Sequence, residues 1–379
     1  MSERNDSPFA APMLRARWVL WRNRMLGNPR FQHWAARNIF TRGVARRRAA
    51  AQFDLVAGFV YSQILAAFVE AGLLDFLDGA LRSDAALAAH LRLPPDASDR
   101  LLCAAAALDL AESPQPGFWT LGRAGAELKP NHGAQAMIAH HHLLYADLAA
   151  PLDLLRAGRS APTALSRFWT YAAPADGDMA QEAAPYSALM GATQPMVVGE
   201  IIDRFDFAAS RRMLDIGGGS GAFARAIATA NNGVDIGIFD LPEVIAIAAQ
   251  RFAADPPARA IALHGGSFKA DPLPSGYDLV SLVRILHDHD DEVVQKLLRS
   301  IFAALPAGGR LLVVEPMAGE SAAPRMGDAY FGLYLWAMGS GRPRRFAELS
   351  HMLRAAGFRR ARRIATAQPL ITSALVATK

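Results

Sequence analysis

His287 stands in the run Arg284-Ile285-Leu286-His287-Asp288-His289-Asp290-Asp291, directly after the apolar stretch Tyr277 to Val283. A histidine titrates near neutrality, so at the end of a strand its natural chemistry is general-base catalysis. The next apolar stretch ends in Leu312-Val313-Val314-Glu315-Pro316. Glu315, on a neighbouring strand end, is suited to hold His287 in one tautomer. Upstream, residues 213–222 read Met-Leu-Asp-Ile-Gly-Gly-Gly-Ser-Gly-Ala. Glycines after a short strand permit a sharp turn and let a ligand approach the backbone amides closely. Asp215 precedes them, where a carboxylate could hold a cationic ligand group. Asp240 ends the following apolar strand, 23 residues after Gly217. An acid at that spacing binds the two hydroxyls of an adenosine ribose. Gly217, Gly219 and Ala222 fit a dinucleotide fingerprint, so at this point a nicotinamide cofactor and S-adenosylmethionine are both open.

Other residues of chemical interest read more plainly. His140, His141 and His142 are consecutive. On a helix they point about 100° apart and cannot share one metal, so they are surface or pocket-lining histidines. The His/Asp cluster at 287–291 is too close in sequence to converge on an ion, and no metal site is expected. Tyr186 and Met190 are four residues apart and share a helix face, which suits a core or a substrate wall. The single cysteine, Cys103, rules out an intrachain disulfide.

The elements that must position these residues follow from periodicity. From about residue 205 the chain alternates apolar strands and helical stretches, the pattern of an α/β doubly wound parallel sheet. The strands are placed at 212–216, 234–239, 259–264, 277–283 and 309–315, with a last one over 370–377. Helices are placed at 221–230, 242–254, 290–305, 326–338 and 345–357. Residues 52–110 read as helical, with Val56 to Leu74 as a buried helix, Ser83 capping a short helix and Ser98 to Leu110 forming another. Phe118 to Leu121, after two prolines, suits one strand of a small wing. Helix, turn, helix and wing make a winged-helix arrangement. Its second helix carries only Arg100 and is otherwise apolar, so it belongs in a core or dimer interface rather than against phosphates. No nucleic-acid partner is expected. Residues 130–200 read as helical. The domains are therefore 1–50, 51–200 and 201–379.

The net charge of +5 is unevenly placed. Residues 1–50 hold eleven arginines against Glu3 and Asp6, and three of the six tryptophans. Leu14, Trp18, Trp21 and Met25 recur at helical spacing with arginines on the flanks, the pattern of a helix lying in a membrane interface. A solvated basic arm or a dimer-swapped helix is the plainer alternative. No signal peptide and no run of about 20 uncharged apolar residues is present, so a cytoplasmic chain, peripheral on an inner or photosynthetic membrane, is expected.

Five motifs in this order carry a resemblance: Leu-Asp-Ile-Gly-Gly-Gly-Ser-Gly, Phe239-Asp240-Leu241-Pro242, Gly265-Gly266-Ser267-Phe268, Leu286-His287-Asp288 and Val314-Glu315-Pro316. With them, residues 52–379 resemble the S-adenosylmethionine-dependent small-molecule O-methyltransferases of the caffeate and polyketide type. The arginine-rich start and residues 283–291 are similar to the carotenoid O-methyltransferases of purple phototrophic bacteria. The resemblance implies a Rossmann-like catalytic domain, a winged-helix-like dimerisation domain and a homodimer. It implies that Gly217 and Gly219 face the methionine part of the cofactor, that Asp240 binds the ribose, and that Ser267 and Phe268 flank the adenine. The family usually has Asp at position 267, and often Lys at position 283, where this chain has Val283 followed by Arg284. His287 matches the base, Glu315 one of its two supporting acids, and Tyr186 and Met190 a substrate wall. The second supporting acid would fall near Arg342-Pro343-Arg344, where none stands. The implied reaction is methylation of the tertiary hydroxyl of a carotenoid, leaving S-adenosylhomocysteine. The alternatives are methylation of a phenol or aromatic polyketide, or a non-catalytic winged-helix binding protein.

Overall fold

The computed structural model describes residues 10–169, 179–231, 233–319, 325–366 and 373–379, without the side chains of 10–12 and 179–188. The chain divides into two compact units, residues 1–73 with 79–122, and residues 74–78 with 123–379. The helices from residue 123 onward thus belong to the unit that holds the large sheet, not to the N-terminal one.

The first unit opens with α1 (Ala10–Leu26), α2 (Pro29–Arg37) and α3 (Arg42–Glu70). Asn28 caps α2 by accepting from the amides of Arg30 and Phe31, and Pro29 supplies a preset first turn. A short strand β1 (Arg82–Ser83) leads into α4 (Asp84–Leu91), whose Ser83 cap accepts from the Ala86 amide, as the sequence predicts. Helix α5 (Pro95–Ala107) precedes the wing, β2 (Ala111–Gln115) and β3 (Phe118–Leu121), which pair antiparallel. Trp119 closes the wing by donating from Nε1 to Asp84, 2.8 Å away.

The expectation of a buried helix over Val56 to Leu74 is corrected. Leu73, Leu74 and Phe68 are buried, but Val56 and Phe59 are each 73% exposed. Within its unit α3 packs on α2 and α5 over only part of its length, and among the described residues of that unit none covers its apolar middle. Among the described residues α3 is also the one helix long and apolar enough, by length and composition, to cross a membrane, contrary to the reading above. Arg46, Arg47 and Arg48 in its first half and the burial of Phe68 near its other end fit a helix that ends in protein.

The second unit brings α6 (His132–Asp147), α7 (Ala164–Phe168) and α8 (Met179–Ile201) against a seven-stranded sheet. Its strands are β4 (Arg212–Ile216), β5 (Asp235–Asp240), β6 (Ile261–Gly265), β7 (Leu279–Val283), β8 (Arg310–Glu315), β9 (Arg360–Ile364) and β10 (Ser373–Thr378). They lie in the order β6-β5-β4-β7-β8-β10-β9, the first five parallel and β10 antiparallel to both its neighbours. Crossover helices α9 (Ala222–Ala230), α10 (Pro242–Ala254) and α11 (Asp291–Ala304) cover the faces. Helices α12 (Gly332–Met338) and α13 (Phe346–Ala356) follow, α12 entered through a wide π-helical turn, Arg325–Phe331. The strands of the middle of the sheet are buried on both faces, hence their continuous Val, Leu and Ile content. The order reverses between β4 and β7, and ligands bind in such sheets outside the carboxyl ends at that point.

Candidate active site

The carboxyl ends of β4, β5, β7 and β8 bring together Gly217, Asp240, Arg284, His287 and Glu315. Gly217, Asp240 and Arg284 line a cavity of about 290 Å³, and His287 and Glu315 lie behind its wall. Gly217 and Gly219 adopt left-handed backbone angles, φ +68° and +58°. A Cβ on Gly217 would strike the Ile285 side chain at 2.3 Å, so only glycine fits there. Asp240 spans the loop: its Oδ2 accepts from the Gly219 amide and its Oδ1 from that of Leu241, both at 2.8 Å. Burial pushes its carboxyl up to about 6, against the pull of those two amides.

Asp215 lies one layer below the loop and does not line the cavity. It is buried, Ser281 donates to its Oδ1 at 2.6 Å, and its Oδ2 has no hydrogen-bond partner among the described residues. Burial pushes its carboxyl up to about 7, and the nearby Asp240 adds to this. Ser267 and Phe268 line the cavity, as do Met190 and Arg284. The Asp271 carboxylate accepts from the Ser267 amide at 2.8 Å, which places an acid four residues beyond the position where the family carries one. Arg284, in a left-handed conformation (φ +60°), donates to Thr193 Oγ1 and to the Met190 sulfur, tying β7 to α8. Tyr186 is on α8, but its side chain lies outside the described residues.

His287 sits in a short turn after β7, 6% exposed. Its Nδ1 bonds Glu315 Oε2. Glu315 also accepts from the backbone amides of Ile285 (2.9 Å), Leu286 (2.7 Å) and His287 (3.3 Å), so one carboxylate organises the whole turn. On the other side Nε2 is 3.1 Å from Asp288 Oδ1. Burial opposes a charged imidazole, but the two carboxylates outweigh it and hold the His287 pKa above the ordinary range. Asp288, not His287, lines the cavity. The second carboxylate on His287 is thus its own neighbour. The expected position, Arg342 to Arg344, does something else: buried Arg344 donates to the carbonyls of Leu286 and His289 and to Asp291 Oδ1, clamping the turn.

Several lining residues lay outside the sequence reading: Trp169, Gln194, Lys269, Asp288 and His289. Asp288 had a signal, its place beside His287. Trp169 and Gln194 had none, because only the packing of α7 and α8 brings them to the cavity. Burial drives His289 down to about 3, so it presents a neutral ring, 5.2 Å from that of Phe268. The triplet at 140–142 splits by helix geometry. His140 is buried against Tyr334 (2.9 Å) and His141 bonds Tyr330 (2.8 Å), while exposed His142 turns back to its own backbone. Burial lowers His140 to about 4. Phe331, between those tyrosines in sequence, sets its ring edge-on to His287 at 5.8 Å.

A family model described as an O-methyltransferase domain matches residues 153–359. Demethylspheroidene O-methyltransferase of Cereibacter sphaeroides is 40% identical over 357 residues, 94% of each chain. That of Rhodobacter capsulatus is 41% identical over 340 residues, 89% of this chain and 84% of the relative. The chain belongs to the O-methyltransferase family. Human N-acetylserotonin methyltransferase, solved in complex with S-adenosylmethionine, superposes with a TM-score of 0.73 at 26% identity, covering 88% of this chain and 97% of that one. The fold of this O-methyltransferase is thus the Rossmann-like methyltransferase fold with an N-terminal helical region, and its methyl donor is S-adenosylmethionine. The cavity suits that donor. Gly219 leaves open space toward it, Asp240 presents a carboxylate, and buried Gln194 Oε1 is an acceptor with no partner among the described residues.

Proposed function

We propose that this O-methyltransferase methylates the tertiary hydroxyl of a hydroxylated carotenoid of the demethylspheroidene or hydroxyneurosporene type, with His287 as general base. The observation that carries the substrate is the 40% identity along 94% of both chains to the Cereibacter enzyme. S-adenosylmethionine supplies a sulfonium methyl group, an electrophile that needs no further activation. Asp240 holds the ribose hydroxyls and the amides around Gly217 and Gly219 bound the methionine part. Ser267 and Phe268 would flank the adenine, and Arg284, beside the position where the family often has Lys, is the candidate for the methionine carboxylate. Asp215 supports the loop from below.

The acceptor lies between the cavity and the aromatic layer of Trp169, Tyr330, Phe331 and Tyr334, with Met190 and Tyr186 as walls. A tertiary alcohol is far less acidic than a phenol, so a free alkoxide is not formed. His287 takes the hydroxyl proton at Nε2 while the oxygen is alkylated, and Glu315 holds the imidazole at Nδ1. With both ring nitrogens against carboxylates, the resting histidine favours the imidazolium. To reach Nε2 the acceptor hydroxyl would have to take the place of its contact with Asp288, and the base form prevails only above the raised pKa. We also assign residues 1–50 to peripheral contact with an anionic membrane that holds the lipophilic acceptor, and the apolar helical region to a homodimer.

Turnover of hydroxylated C40 carotenoids and of phenols, compared as kcat/KM with labelled S-adenosylmethionine, tests the reading. Preference for the carotenoid by about a hundredfold or more supports it, and preference for a phenol contradicts it.

A further inference from the structure

The end of the sheet opposite the glycine loop holds a second cavity, of about 330 Å³. Four arginines line it, Arg204, Arg310, Arg360 and Arg362, with Phe205 and Asp206. The sheet register explains why they converge. On β10, Thr378 pairs with Arg310 of β8 on one side and with Arg360 of β9 on the other, and Val376 pairs with Arg362. Paired residues project from the same face, so Arg310, Arg360 and Arg362 share one. At an interstrand spacing of about 4.8 Å, Arg310 and Arg360 start about 10 Å apart, within reach of one ligand. β8 runs from Arg310 to Glu315, which puts this cavity at the far end of the sheet from the base.

The site has a built floor. The Arg310 guanidinium lies 4.9 Å from the centre of the Phe205 ring, and its Nη2 donates to Asp206 O (3.1 Å) and Ser210 Oγ (2.7 Å). Arg204, Arg360 and Arg362 are exposed and form no ion pair among the described residues. Asp206 is the only carboxylate in the lining, and it is turned to the Ala209 amide at 3.2 Å. Asp278, near Arg310, accepts from the amides of Arg211 and Arg212. The lining therefore carries a net +3 from four arginines and one aspartate. Like charges side by side on a sheet face repel, and each guanidinium's planar fork of donors matches phosphate oxygens.

We propose that this cavity binds a phosphate-bearing anion, a diphosphate or phosphate monoester group, held by Arg310 at its floor and by Arg204, Arg360 and Arg362 at its mouth. Two sources share that chemistry, a soluble phosphate ester and the headgroup of an anionic lipid.

The test titrates the full chain with inorganic pyrophosphate, and separately with phosphatidylglycerol and phosphatidylcholine vesicles, at roughly 0.15 M salt, where charges beyond about 8 Å are screened. The variants are Arg360→Glu/Arg362→Glu, Arg204→Glu, and a control with the charge change of the double variant, Arg299→Glu/Arg354→Glu, on exposed positions of α11 and α13. Methyl transfer, expected to be unchanged, reports that each variant is folded. Saturable pyrophosphate binding weakened about tenfold or more by the first two variants, and less than about twofold by the control, supports the site. If phosphatidylglycerol binding falls in the same variants and glycerol 3-phosphate competes, the source is a headgroup. If vesicles bind all variants alike while pyrophosphate discriminates, it is a soluble ester. No saturable pyrophosphate binding together with vesicle binding that is equal in all variants, or equal loss in the control, overturns the proposal.

Discussion

At the scale of single residues, His287 is held between two carboxylates, Glu315 on Nδ1 and its neighbour Asp288 on Nε2. Because His287 must be neutral to accept a proton, and its pKa is raised, turnover should fall on the acid side at a pH above the ordinary histidine range. Removing one carboxylate lowers that pKa, so Asp288→Asn should shift the acid limb of the kcat–pH profile to lower pH. An unshifted limb would show that Asp288 does not act on the base. Glu315→Gln should both shift the limb and loosen the turn, because three backbone amides lose a charged acceptor. A second titration belongs to Asp215. Its folded pKa, about 7, is above the carboxylate range, so folding favours its protonated form. The resulting stability is fully present below about pH 4 and is lost as pH rises through 7. Asp215→Asn should therefore raise the melting temperature of the cofactor-free enzyme at pH 8 and leave it nearly unchanged at pH 4.5. A gain of equal size at both would contradict a titrating Asp215.

At the scale of elements, the clamp from Arg344 to the turn after β7 is the contact on which the base depends without touching it. Arg344→Leu leaves the carbonyls of Leu286 and His289 without that donor, at about 1–3 kcal/mol for each buried group. A lowered denaturant midpoint, with kcat reduced more than cofactor affinity, is expected. This clamp was not legible in the sequence, since an arginine near position 344 reads as the loss of a supporting acid rather than as a buried donor. The parallel strands were legible because burial on both faces leaves them continuously apolar. β9 was not: Arg360-Ala361-Arg362-Arg363 carries three charges and reads as loop, and only its pairing to β10 at the sheet edge makes it a strand. β2 escaped for a related reason, since Pro114 sits inside it. The glycine loop, Asp240, His287 and Glu315 could be read because each follows a strand. Trp169, Gln194 and the Tyr330–Tyr334 layer come from helices whose spacing says core.

At the scale of the whole chain, a basic aromatic arm precedes the catalytic sheet unit. Met13, Leu14, Trp18, Leu20 and Trp21 on α1 are exposed, and Arg22 lies 5.1 Å over the Trp18 ring. These exposed tryptophans with arginines beside them are what the proposed contact with an anionic interface rests on. Removing residues 1–40 should reduce binding to anionic vesicles about tenfold or more and slow turnover of membrane-embedded acceptor. Turnover of a detergent-dispersed acceptor should change little. Equal loss on both acceptors would point to a folding role for the arm instead. The central claim, that His287 deprotonates a carotenoid tertiary hydroxyl as the methyl group moves, is tested most directly by single-turnover transfer of labelled methyl to that acceptor. The wild-type enzyme should form the labelled ether, and His287→Ala, with cofactor affinity intact, should be slower by about 10²–10⁴-fold. Label transfer by His287→Ala at the wild-type rate would contradict the account.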